Sequence, residues 1–144
     1  TVGIIKVGAD SKVALKEKKD RIEDAIHATK AALKEGIVAG GGVALLNAAN
    51  SIKAKSVGEQ MLLDAIKAPY KTILDNAGLD YLDLNKKGWG IDVITGKPAN
   101  MIKAGIIDPV LVTKSALKNA VSVVTTIISA DCIISNKRLD HASN

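Results

Sequence analysis

The spacing of apolar and polar positions changes several times along the chain, and each change predicts an element. Val2 to Val7 alternates and is rich in branched residues, which predicts a short strand ending at Gly8. Asp10 or Ser11 suits an N-cap, and the period beyond them becomes helical. Ile22, Ala25, Ile26, Thr29, Ala32 and Leu33 recur at helical offsets, while Arg21, Glu23, Lys30, Lys34 and Glu35 fall elsewhere on the wheel. A helix with one buried and one wet face is expected to about Glu35, with Gly36 in the left-handed position that ends many helices. Ile37-Val38-Ala39 leads into Gly40-Gly41-Gly42, and Val43 to about Ile52, small and nearly uncharged, predicts a second, well-buried helix.

Lys53 to Val57 reads as a linker, and Ser56-Val57-Gly58-Glu59 has the S-x-x-E spacing of a capping box, with Ser56 as N-cap and Glu59 reaching back. The helix that follows carries Met61, Leu62, Ile66, Tyr70, Ile73 and Leu74 on one side and stops at Asn76-Ala77-Gly78. Pro69 inside it predicts a break near Lys67-Ala68. From Leu79 to Lys97 the helical period is lost. A loop, a short strand through Ile91 to Ile94 and a turn at Gly96-Lys97-Pro98 are expected, together a β-ribbon. Asn100 to Ala104 predicts a short helix closed by Gly105. Asp108-Pro109 then supplies an N-cap with proline at the first position of a last long helix, to about Ala130. Its apolar residues, among them Val112, Ala120, Val124 and Ile128, lie on nearly all sides, as in a central core helix. A terminal strand at 132–135 and a frayed tail at 136–144 complete the reading.

Composition narrows the class. The 144 residues make one ordinary domain's length, 47% hydrophobic and 24% charged, a globular balance. Aromatic residues are 2% with no Phe, so the core must be aliphatic. No run of about 18 uninterrupted apolar residues occurs, so no membrane-spanning helix is expected. The N-terminus lacks the charged-then-apolar pattern of a signal peptide, and a soluble, intracellular protein is expected. Opening in a strand-like run with no Met, the chain reads as the interior of a longer protein. Cys132 has no partner cysteine and no metal-ligand spacing, which fits a buried inert thiol. The net charge of +5 raises nucleic-acid binding, but the KEKK run at 16–19 interleaves both signs and no aromatic residues accompany it for base stacking.

Generic motifs supply little chemistry. ITGKP is not a phosphate loop, because Gly90 to Gly96 has the wrong spacing and Pro98 stands where Ser or Thr is required. Gly88-Trp89-Gly90 lacks the third glycine of a dinucleotide fingerprint. Asp24, with His27 three residues on, reads either as a solvated carboxylate or as an acid–base pair. His27 and His141 show no ligand spacing with Cys132 or each other, and no metal site is expected. The three glycines allow a ligand's approach to the main chain or the close packing of another helix.

The stretch KEKKDRIEDAIHATKAALKEGIVAGGGVALL resembles the signature region of the group I chaperonins, the GroEL type. VGIIKVGA near the start and GIIDPVLVTKSALKNAVSVVTTIISAD near the end extend the resemblance over about Val2 to Ser135. It implies a mainly α fold: a long-helix bundle of the C-terminal half of an equatorial domain at 36–135, preceded at 1–35 by the strand and long helix that end an intermediate domain. It also implies ATP and Mg²⁺ as cofactors. In the family's (V/I)EDA(L/I)HATRAA motif the carboxylate that helps position the attacking water falls on Asp24. The middle glycine of the turn, which touches the nucleotide, falls on Gly41. The adenine contacts of the GYNAA or GYDAM segment fall on Asp92 and Val93, where this chain departs from the pattern with GWGIDVI. The GI(L/I)DP motif puts Ile106 against the base and Asp108 toward the ribose. The family's phosphate and magnesium loop, GDGTT-like, does not occur here, nor does the apical domain that holds unfolded polypeptide and the co-chaperonin. Other subunits of a homo-oligomeric ring are the implied partners, in a bacterial-type cytoplasm or an organelle matrix. The alternative is a truncated, non-catalytic helical interaction module.

Overall fold

A computed structural model of the chain describes residues 3–132 and 134. Its first element, α1 (Lys12–Glu35), starts where the sequence predicts: the Ser11 hydroxyl accepts the Ala14 N–H at 3.1 Å, satisfying one orphan donor of the first turn. It stops at Gly36, whose φ of 83° only glycine adopts freely and whose N–H closes on Ala32 O at 2.7 Å. The expected buried face is only half-buried, at Ile22, Ile26 and Ala32, and no α1 residue is fully buried. Residues 3–9 form no strand. No strand among the described residues pairs with them, Ile4 and Ile5 are exposed, and Val2, where the expected strand begins, lies outside the described residues.

The sequence reading missed β1 (Ile37–Ala39), which pairs antiparallel with β4 (Ile107–Pro109), Val38 opposite Asp108. Two short branched runs, Ile37-Val38 and Ile106-Ile107, find each other across about half of the chain. Between them lie α2 (Val43–Ser51), α3 (Val57–Ala65) and α4 (Ala68–Asn76). The break between α3 and α4 falls where Pro69 requires it, and the capping box holds: Ser56 Oγ accepts Glu59 N at 3.2 Å. Glu59 reaches back to Lys55 N at 2.6 Å, one residue before the cap. The ribbon is β2 (Trp89–Asp92) with β3 (Lys97–Asn100), two residues earlier than expected and with Pro98 inside β3. Residues 101–105 turn without forming a helix.

The last helix, α5 (Val110–Ile128), departs most from expectation. Asp108 lies in β4 and makes no cap, and Pro109 occupies the N-cap position. No α5 residue is buried, although a central core helix was expected; Val123, Val124, Ile127 and Ile128 are all exposed. By length and average composition alone this helix is also long and apolar enough to cross a membrane, although it holds no uninterrupted apolar run of that length. Lys114 and Lys118 interrupt the run yet leave its mean apolar, and a soluble core helix meets the same criterion. Of the terminal strand expected at 132–135, Cys132 and Ile134 are not in a strand and Cys132 is exposed, not buried; residues 133 and 135 and the tail at 136–144, with His141, lie outside the described residues.

The core is aliphatic around one tyrosine. Val43, Leu46, Tyr70, Leu74, Ile91 and Met101 form the main cluster, and Ala49, Leu63 and Ile66 a second, against which Leu117 of α5 packs. Each fully buried side chain of this size contributes about 1.5–3 kcal/mol by leaving water. Gly42 sets the spacing: a Cβ there would stand 2.7 Å from Tyr70 N, so α4 lies directly on the glycine turn.

Candidate functional site

The β1–β4 ladder decides which of the expected site residues meet. Gly40 N–H donates to Ile106 O at 2.9 Å, which fastens the glycine turn to the segment before β4. Gly41, at φ 64°, faces the Met101 Cε, and the Ile106 side chain lies just beyond it. The N–H groups of Gly41 and Gly42 have no acceptor among the described residues, so the turn presents main-chain donors at the start of α2. Ile106 and Asp108 are two residues apart in extended chain and share a face. Ile106 is half-buried against the main cluster; Asp108 is half-buried, and its carboxylate has no hydrogen bond among the described residues. Gly41, Ile106 and Asp108 are thus brought to one place from two distant stretches.

Asp92 and Val93 are tied to that place through Met101. Met101 N donates to Gly88 O at 3.0 Å, Ile106 N donates to Met101 O at 2.8 Å, and Gly90 packs against Val43 and Met101. Asp92 lies two residues, about 7 Å, further along β2. Both its carboxylate oxygens are engaged in the hairpin turn, Oδ1 accepting Ile94 N at 3.0 Å and Oδ2 accepting Thr95 Oγ1 at 2.9 Å. Asp92 therefore fixes the turn that carries exposed Val93. Met101, 2% exposed, is the hub that sequence reasoning missed; a lone methionine in a turn gives no periodic signal.

Asp24 stands on exposed α1, about 16 Å of helix before Glu35, and no hydrogen bond or ion pair links it to the other site residues. α1 packs on β4 and α5, with Lys114 Nζ 2.7 Å from Glu35 Oε2. His27, also exposed, has no hydrogen bond to Asp24, so the acid–base pair is not formed. Among the described residues no three His, Cys, Asp or Glu side chains converge as metal ligands would.

Two surface hollows lie elsewhere. One of about 370 Å³ is lined by Asp64, Lys67, Ala68, Lys71 and Tyr81, and one of about 290 Å³ by Ala9, Ala14, Glu17, Lys18 and Arg21. In the first, the Gln60 amide and the Lys67 ammonium hold the Asp64 carboxyl below its ordinary range. Neither hollow includes an expected site residue.

The family model of the TCP-1/cpn60 chaperonins matches residues 1–138. Among solved structures the chain is similar to a group III chaperonin in the open state, with a TM-score of 0.74 and 26% sequence identity. That likeness covers 89% of this chain and 30% of the other, so the chain spans less than a third of that chaperonin's length.

Proposed function

Because the chain belongs to the TCP-1/cpn60 chaperonin family, we propose that it works as part of an ATP-driven, ring-forming protein-folding chaperonin of the group I type and carries part of the nucleotide site. The observation that carries this reading is the junction of the glycine turn with the Ile106–Asp108 segment: two stretches singled out separately are joined by the Gly40 N to Ile106 O bond. The residues present suit the nucleoside end of ATP. Gly41 and Gly42 offer free main-chain donors, Ile106 an apolar surface for a base, and Asp108 an uncommitted acceptor for ribose hydroxyls. Asp92 holds the turn that presents Val93 to the base edge.

When bound, ATP supplies the phosphoryl group whose transfer to water drives the cycle, and Mg²⁺ supplies charge neutralisation at the phosphates. In this reading Asp24 is the water-orienting group, since a carboxylate with no other partner can accept hydrogen bonds from an attacking water. The phosphate and metal ligands come from outside this chain. So do the surfaces for unfolded polypeptide and co-chaperonin, in a bacterial-type cytoplasm or an organelle matrix. The apolar surface of α5 supports a protomer that buries it in assembly over a stand-alone interaction module, which would cover such a helix itself.

Native mass and ATP turnover test the reading together. The assembled ring protein is expected to bind ATP and lose hydrolysis in Asp24→Ala while keeping nucleotide affinity. Residues 1–144 alone are expected to show no appreciable ATPase. Magnesium-dependent turnover by this chain alone, abolished in Asp24→Ala, would overturn the placement of the phosphate ligands elsewhere; a well-behaved monomer indifferent to nucleotide would favour the interaction module.

A further inference from the structure

We propose that the outward face of α1 is a docking rail for a narrow acidic polypeptide segment of a partner protein. At about 100° per residue, Lys12, Lys16, Lys19, Lys30 and Lys34 fall within an arc of about 60°. They run along about 33 Å of helix. All five are exposed, and none lies within ion-pair distance of a carboxylate among the described residues. The half-buried residues of α1 lie outside this arc: Ala28, Ala31 and Ala32 on the far side, with Glu35 reaching Lys114, and Ile22 and Ile26 as an apolar edge beside Lys19.

An ordinary solvated helix face mixes the two signs at neighbouring positions. Here they are sorted. Within the arc Glu23 is the one acidic residue, and the remaining acids of the helix's first half, Glu17, Asp20 and Asp24, sit together along one flank. Glu17 is spent on Arg21, at 2.6 Å, away from the rail. The acidic flank sets the partner's width. A broad polyanion such as a nucleic-acid duplex would bring phosphates over Asp20 and Asp24, and α1 has no aromatic side chain for the stacking that single strands use. A helix or strand with carboxylates along one edge meets the lysines in two clusters, Lys12 to Lys19 and Lys30 with Lys34, whose internal three- and four-residue spacings match those of a helical partner.

Fluorescence anisotropy of a labelled oligoglutamate of about fifteen residues, enough to span the row, tests this on the whole chain. Saturable binding is expected at low salt and should vanish near 1 M ionic strength, where the Debye length is about 3 Å. The triple variant Lys16→Glu, Lys19→Glu, Lys30→Glu should weaken binding at least about tenfold, an effect of the size that charge pairs across interfaces show. The triple variant Lys53→Glu, Lys71→Glu, Lys103→Glu carries the same charge change off the rail and should bind as the unaltered chain does. Lys and Glu have similar helix propensity, so far-ultraviolet circular dichroism should report an unchanged α1 in both. Absence of binding, an equal loss in the two variants, or tighter binding of a duplex DNA of equal charge would each overturn the proposal.

Discussion

Replacing the glycines of the α1–β1–α2 connection one at a time separates conformational cost from crowding. Gly41 and Gly42 have φ of 64° and 77°, so alanine meets a similar backbone penalty at each, roughly 1 kcal/mol after the gain from a stiffer unfolded chain. Gly36, at φ 83° and ψ −166°, lies in a region open essentially to glycine, where backbone strain alone costs about 1–3 kcal/mol. Their surroundings differ. At Gly36 an added Cβ meets nothing within 4 Å; at Gly41 it meets the Met101 Cε at 3.0 Å, the end of a flexible side chain; at Gly42 it meets Tyr70 N at 2.7 Å and Cα at 2.8 Å. Backbone cannot step aside as a methionine can, and overpacking of this kind costs about 1–3 kcal/mol more. Gly42→Ala is therefore expected to lose about 3 kcal/mol in all, against about 1 for Gly41→Ala, while Gly36→Ala reads backbone strain with no crowding. For a chain of this size the first two are a fall in Tm of about 10 °C against about 3 °C. Thermal unfolding followed by circular dichroism, with Trp89 fluorescence as a second probe, reads the series. If Gly42→Ala proves no worse than Gly41→Ala, α4 does not lie on the glycine turn as described, and Gly42 must be kept for another reason, ligand approach first.

Two further outcomes follow from local contacts. Ser56→Ala removes the cap of α3 and should cost about 1 kcal/mol in urea unfolding, with Ser56→Gly losing only a few tenths; equal losses would show that the Ser56 hydroxyl does not act as the cap. Burial pushes the Tyr70 phenol above its ordinary value of 10.0, with the charges of Tyr81 and Asp83 adding to the rise against an opposing main-chain contact at Ile91. The unfolded chain then releases this proton first, so stability is full below about pH 10 and falls as pH rises beyond it. The fall should be shallower in Tyr70→Phe, which at neutral pH loses about 1 kcal/mol with its bond to Leu82 O. Parallel pH curves for the two proteins would refute the assignment.

Local signals were legible and distant ones were not. The Ser11 and Ser56 caps, the Pro69 break and the Gly36 and Gly78 stops were readable because each depends on residues within one turn. The β1–β4 ladder was not, since three-residue strands give too short a pattern and their partner lies far along the chain. The failures at residues 3–7 and α5 share a cause: apolar pattern reports what a segment is fit to bury, and residues 3–7 and the second half of α5 are left largely exposed among the described residues. At the site, Gly41, Ile106 and Asp108 came from resemblance, and the ladder gave them a common location. Nothing in the sequence marked Met101, whose role arises only from what surrounds it.

The β1–β4 ladder also sets an order of events. Joining Ile37 to Pro109 closes a loop of about 70 residues, whereas β2 and β3 meet across a four-residue turn. Long closures cost more entropy and form later than local ones. On the ribosome the glycine turn emerges before Ile106, and at about 5–20 residues per second it waits several seconds for its partner. Helices α2 to α4 and the hairpin can gather in that interval. The junction of Gly41 with Ile106 and Asp108 thus forms after α2 to α4 and the hairpin, and a chain halted before residue 106 would hold most of its core without it.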